Sequence, residues 1–306
     1  MIATNQLLRT KALWTAALRM GLAFACVGVS VALADINDAV SAAALRTRYD
    51  TLQNQLNQNQ YKKPLYLESA ENPGSVTGDI YARVEHPFAI SRAALNGADR
   101  WCGIMMLHLN TKHCQALNNA GGSVLQVHIG KKHDQPVDDA YRLDFAYRVA
   151  TNTPDYLKVM LTADAGPLGT REYRVILEAV PLENGTTFLH FTYSYGYGVA
   201  GRLALQTYLG TIGRTKVGFT VVSKQSDGEL VHIGGMRGLV ERNTMRYYLA
   251  IEAYLGALSV PPQARLERRL HDWFAAIERY PRQLHEMERD AYLEMKRKEF
   301  RRLPAV

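Results

Sequence analysis

Cysteine is scarce: the 306 residues hold three, Cys26, Cys102 and Cys114. That excludes a disulfide-dense scaffold and a four-cysteine zinc module. Catalytic signatures are missing too. His108 and His113 are five residues apart, as are His128 and His133. A helical zinc pair needs a spacing of four, so neither a metal nor another cofactor is expected. Ser194 precedes Gly196, but Thr192 stands where a serine nucleophile elbow has its first glycine. No catalytic residue is therefore assigned. There is no internal repeat. The net charge is +7, but Arg9, Lys11 and Arg19 fall in a 34-residue start without acids. The remaining 33 basic residues face 29 acidic ones, a net of +4, and 262–303 alone carries +3. The middle of the chain is thus nearly neutral, which excludes the dense basic face of a nucleic-acid binder.

A long apolar run is also lacking. The N-terminal run, Met20–Ala34, falls short of the roughly 20 residues that span a bilayer. A basic start, that run and Ala32-Leu33-Ala34 read as an export signal over 1–34, cleaved after Ala34. The expected location is the periplasm; retention as an anchor is the alternative. Cys26 would leave with the signal. Cys102 and Cys114 would then pair with each other in an oxidising compartment, or remain as two buried thiols.

What the chain has is alternation. Tyr141, Leu143, Phe145, Tyr147 and Val149 share one face, with Arg142, Asp144 and Arg148 opposite. Leu189, Phe191, Tyr193, Tyr195 and Tyr197 repeat the pattern against His190, Thr192 and Ser194. Period-2 patterning predicts half-buried antiparallel strands, and Asn184-Gly185 is a hairpin turn. Arg142, Arg148, Arg171 and Arg174 are expected to pair with Asp144, Glu172 and Glu178 on the outer face. Gly196-Tyr197-Gly198-Val199-Ala200-Gly201 spells a dinucleotide fingerprint, but it follows hairpins rather than a βαβ unit, so it reads as a bend. Val217, Phe219 and Val221 predict a further strand. A long amphipathic helix is expected over Met236–Leu258, with Val240, Thr244, Tyr247, Ile251 and Leu255 on its apolar face.

The segments are therefore a signal (1–34), a helical arm (35–63), a main domain (64–260) and a charged helical extension (261–306). The expected class is α+β: an antiparallel sheet wrapped around a long C-terminal helix, with helical extensions at both ends. The order of elements carries a resemblance. Asp79–Val84, His86-Pro87-Phe88 with the helical pair after it, the hairpins from Tyr141 to Tyr197 and the helix Met236–Leu258 resemble the START-like superfamily, the helix-grip or polyketide cyclase/lipid-transport group. The resemblance covers about 65–258. It implies a cavity between sheet and helix that takes a lipid or another hydrophobic small molecule, with enzymes in a minority of branches.

Aromatic residues on the predicted inner face are the candidate lining: Phe145, Tyr147, Tyr173, Phe191, Tyr193 and Tyr195, with Tyr247 and Ile251 from the helix. A buried tyrosine hydroxyl needs a partner, and a ligand polar atom supplies one. Lys296, Arg297, Lys298, Arg301 and Arg302 would make a peripheral contact with an anionic membrane. Three functions are consistent with this reading: a carrier or binder of an apolar or amphipathic molecule, an enzyme of the same fold (cyclase, isomerase or hydrolase), and an envelope scaffold.

Overall fold

The alternation read from the sequence becomes strand register in the computed structural model, which describes residues 41–119, 122–210 and 216–303. The chain divides into two units, 1–44 and 45–306. The signal, its cleavage site and Cys26 lie outside the described residues; in the first unit 41–44 are helical. The account below concerns the second unit.

Helical residues 45–51 and α1 (Gln53–Asn57) lead into β1 (Leu65–Asn72) and β2 (Ser75–Val84). Next come α2 (Phe88–Leu95) and α3 (Ala98–Met105), then β3 (Thr111–Asn119) and β4 (Gly122–Ile129). The block predicted from Tyr141 onward forms β5 (Tyr141–Asn152), β6 (Leu157–Ala165), β7 (Thr170–Pro181) and β8 (Thr187–Tyr197). All eight strands make one antiparallel sheet in the order β1-β2-β8-β7-β6-β5-β4-β3. The early strand β2 closes against the late strand β8, with Ile80 opposite Phe191. The chain then runs through α4 (Val199–Gly210), a hairpin of β9 (Val221–Lys224) and β10 (Leu230–His232), and the 22-residue helix α5 (Gly235–Gly256). Helix α5 packs on β1, β2 and β8. A Cβ on Gly78 would overlap Thr244 Oγ1, so glycine in β2 lets the helix lie close to the sheet.

This is a helix-grip arrangement, α+β as expected, with its core between one sheet face and α5. Leu161, Leu177, Phe191, Leu249 and Ile251 are fully buried there. Helices α6 (Arg265–Ile277), α7 (Pro281–Leu284) and α8 (Arg289–Arg301) form the extension. It packs back on the domain: α6 lies on α5, and α8 lies on α6 and β3.

Two expectations change. Val217 and Phe219 precede β9 rather than joining it, and the β9–β10 hairpin stands apart from the main sheet. Phe219 is buried against Tyr61 and Tyr280, ring centroids 5.7 and 5.5 Å away, so its alternation records a plug and not a pleat. The glycine run is more than a bend. A Cβ on Gly201 would sit 2.7 Å from the Gly169 carbonyl oxygen, so its last glycine lets α4 pack on the β6–β7 turn.

Cys102 on α3 and Cys114 on β3 form a disulfide across a sequence separation of 12. Closing a loop of that length stabilises by roughly 3 kcal/mol in the chain-entropy model. A Cys102→Ser/Cys114→Ser variant is expected to lose about that much in denaturant unfolding, with an unchanged far-ultraviolet spectrum.

Candidate functional site

Two adjoining pockets, an inner chamber and an outer vestibule, lie beside the N-terminal half of α5. The inner chamber holds about 130 Å³. Phe145 from β5, Tyr173 from β7, Tyr193 from β8 and Tyr247 from α5 form its aromatic wall, with Leu143 and Ile129 beside them. The outer vestibule holds about 720 Å³ and shares Asn110, Ile129, Pro167 and Asn243 with the chamber. Leu168, Leu205 and Leu239 give the vestibule an apolar side. Lys131, Lys132, Lys216, Arg242 and Arg246 give it a basic side, against Asp139 and Glu286.

Of the eight residues predicted to line a cavity, four meet at the chamber: Phe145, Tyr173, Tyr193 and Tyr247. Phe191 lies behind Tyr247, ring centroids 6.4 Å apart, and Tyr195 is stacked on Tyr173 at 5.3 Å. Ile251, one turn beyond Tyr247, is sealed in the core, and Tyr147 stands outside the lining with its hydroxyl buried. Alternation names the correct sheet face but not how far along it side chains fill the space. Burial pushes the Tyr173 phenol up to about 12 and the Tyr193 and Tyr247 phenols further up. All three are neutral hydroxyls.

In the sequence His108 stands out only by its five-residue spacing from His113, which does not fit a helical metal pair. It ends the α3 turn, 4% exposed, and stacks on Tyr247 with centroids 4.8 Å apart. Its Nδ1 accepts the Asn110 backbone N–H at 3.2 Å. A neutral ring with an accepting Nδ1 carries its proton on Nε2. That Nε2 is buried at the chamber, with the Asn243 side chain beside the ring. Burial, then the positive charges of Arg246, Lys296 and Lys132, hold the imidazole well below its ordinary 6.5. The chamber thus presents a neutral N–H donor, suited to a ligand carbonyl or ether oxygen. It is poorly suited to abstracting a proton, because the basic nitrogen is engaged.

At the vestibule, Glu286 is the internal counter-ion. Its carboxylate lies 2.7 Å from Lys132 Nζ, 2.8 Å from Arg246 Nη2 and 3.3 Å from Lys216 Nζ. Burial opposes its charge, but those cations outweigh it and hold the carboxyl below its usual range. Burial lowers Lys132 to about 8. One carboxylate shared among three cations leaves the vestibule positive. Arg242 and Arg246 were legible as an i, i+4 pair on α5. Lys132 and Glu286 were not, because only the fold brings the β4–β5 loop to the extension.

The extension holds the turn that bears His108. From α8, the Tyr292 hydroxyl donates to the Leu107 carbonyl at 2.9 Å. Lys296 Nζ donates to the carbonyls of His108 and Thr111 at 2.7 and 2.8 Å. Lys296, Lys112 and Glu299 are fully buried, and Glu299 bridges the two lysines at 2.8 and 2.9 Å. Of the residues expected to contact a membrane, Arg301 is exposed and four have partners within the chain. Lys296 faces inward, Arg297 is paired with Glu267, and Lys298 and Arg302 are paired with Asp134.

The outer sheet face carries a separate cluster. Arg142 pairs with Asp144 and Arg171 with Glu172, but Glu178 turns to His190, Lys158 and the Tyr156 hydroxyl. His190 has Asp79 2.8 Å from Nε2 and Glu178 3.1 Å from Nδ1, and it stacks under Tyr81 at 4.2 Å. Burial lowers its pKa, but the hydrogen bonds to Asp79 and Glu178 outweigh this and raise it above 6.5. A raised histidine contributes stability that is fully present below 6.5 and is lost as pH rises through the raised value. Unfolding midpoints should therefore fall over that window, and His190→Gln should remove the fall. A midpoint that falls equally in the variant would assign the slope elsewhere.

No family model and no curated protein matches the chain. Solved structures that resemble it include START-like helix-grip folds. Human StAR-related lipid transfer protein 5 is 9% identical, covering 73% of this chain and 98% of its own, with a TM-score of 0.35. The Zhui aromatase/cyclase from Streptomyces sp. R1128 is 12% identical, covering 67% and 96%, with a TM-score of 0.33. Norcoclaurine synthase from Thalictrum flavum is 12% identical, covering 49% and 80%, with a TM-score of 0.31. These likenesses concern the fold and carry nothing about what this chain binds.

Proposed function

We propose that this protein binds an amphipathic small molecule. Its apolar end enters the aromatic chamber, and its anionic end rests at the basic vestibule. The observation that carries the reading is the contrast between two adjoining pockets that share Asn110, Ile129, Pro167 and Asn243: Phe145, Tyr173, Tyr193 and Tyr247 line the inner one, and Lys131, Lys132, Lys216, Arg242 and Arg246 line the outer one. The vestibule volume of about 720 Å³ falls within the range of small-molecule sites. A chamber of about 130 Å³ takes a ring or a short chain, not a whole sterol. The buried His108 Nε2–H, facing the chamber, favours a ligand with an oxygen acceptor near its apolar end.

The neutral, donor-only state offered by His108 favours binding over the enzyme alternative. The disulfide Cys102–Cys114 supports an exported, periplasmic setting for that binding.

The test is a fluorescence titration with a dansylated fatty acid and with the matching alcohol. Saturable binding of the acid, at least about tenfold tighter than the alcohol, is expected from a charge-assisted contact. Equal affinities, or no saturable binding of either, would reject the reading.

A further inference from the structure

A second groove lies at the other end of α5 and shares no lining residue with the cavity. It has a volume of about 470 Å³ and sits between α2 and the junction of α5 with α6. Three guanidinium groups line it, from Arg100, Arg265 and Arg269, and no acidic residue does.

The contrast with the rest of the chain is informative. Several buried or half-buried cations elsewhere have a carboxylate: Lys132, Lys216 and Arg246 have Glu286, Lys112 and Lys296 have Glu299, and Lys63 has Glu252; in the groove Arg265 and Arg269 are half-buried and Arg100 is exposed. Among the described residues no carboxylate comes within 4.0 Å of Arg100, Arg265 or Arg269. Their other bonds are sparse. Arg265 Nε donates to the Val260 carbonyl at 3.2 Å, and Arg100 Nη1 donates to the Asn96 carbonyl at 3.3 Å. The Arg269 guanidinium lies 3.8 Å from the Tyr254 ring centroid, and its Nε is buried without a hydrogen-bond partner. A flat aromatic surface fixes that fork and leaves its edge N–H groups for an acceptor. Three like charges held around one groove repel each other unless an anion joins them. The remaining wall is apolar: Leu258 lines it, and Ile90 is 46% exposed beside it.

We propose that this groove is a binding site for a phosphate group carried by a molecule with an apolar part. The arginines take the phosphate oxygens through paired N–H groups, and the apolar portion lies along Ile90 and Leu258. Guanidinium forks match oxyanion geometry, which is why arginine is the residue for such sites. The site is independent of the cavity and does not rest on the function proposed for it.

The experiment uses the full protein and an Arg100→Gln/Arg265→Gln variant, which leaves the Arg269–Tyr254 stack in place. Isothermal titration is done with inorganic phosphate and with dihexanoyl phosphatidate at low ionic strength. Wild type should bind the phosphatidate saturably and more tightly than phosphate. The variant should lose at least about tenfold, as expected for removing charge-assisted hydrogen bonds. Its affinity for the dansylated fatty acid and its melting temperature should not change, which separates this site from the cavity and from misfolding. Sedimentation with phosphatidylcholine vesicles, with and without phosphatidate, then distinguishes the sources. Phosphatidate-dependent binding that the variant lacks assigns a lipid headgroup; titration binding without vesicle binding assigns a soluble phosphate compound. No saturable binding of either probe to wild type, or equal affinity in the variant, would overturn the proposal.

Discussion

Replacing Glu299 with glutamine lowers stability by about 3–5 kcal/mol, the cost of stripping a buried charge of its partner. Glu299 holds Lys112 and Lys296 between its two oxygens, and all three side chains are fully buried. Glutamine keeps the shape and removes the charge, so the loss is electrostatic and not a cavity. Two ammonium groups then share a low-dielectric interior, and burial already lowers Lys296 to about 8. Chemical denaturation measures the loss directly. A triple variant, Lys112→Met, Glu299→Leu and Lys296→Met, separates charge from position. Apolar replacement of a whole buried ion cluster is often close to neutral, so much of the stability should return. Ligand affinity should not, because Lys296 also donates to the His108 and Thr111 carbonyls that set the imidazole. Recovery of both would reduce the extension to a stabilising brace.

The second large effect comes from filling the neck of the cavity. Asn243 lines both the chamber and the vestibule. Asn243→Phe puts a ring where the two parts meet and adds apolar volume without creating an unpaired charge. Affinity for the dansylated fatty acid should fall by about a hundredfold or more, roughly 3 kcal/mol. Stability should change by less than that, since overpacking into open space costs little compared with overpacking a filled core. Unchanged affinity in a folded variant would place the probe elsewhere.

How much of this was legible in the chain depends on the range of the physics involved. Strands β5 to β8 and helix α5 follow from periodicity, because a residue two or four positions away decides their faces. The aromatic wall is legible for the same reason. Its filled and empty parts are not: Phe191 and Tyr193 share a face, yet only Tyr193 reaches the chamber. The basic vestibule depends on the β4–β5 loop meeting the extension, a long-range encounter with no local signal. Composition reads the charge run near the C-terminus as one basic cluster and does not separate its inward from its outward side chains. Its spacing carried the better signal. Tyr292, Met295, Lys296 and Glu299 fall at i, i+3, i+4 and i+7, one helix face, and all four are buried. A lysine and a glutamate on inward positions look like a surface until the partner strand, which carries Lys112, is known.

The central claim is that the aromatic chamber receives the apolar end of the ligand. The most direct measurement is photolabelling with a fatty acid that carries a diazirine near its terminal carbon, followed by peptide mapping. The account predicts adducts on Phe145, Tyr173, Tyr193 or Tyr247, lost in Asn243→Phe. Adducts confined to the groove around Ile90 and Tyr254, or labelling that is unchanged in the variant, would contradict it.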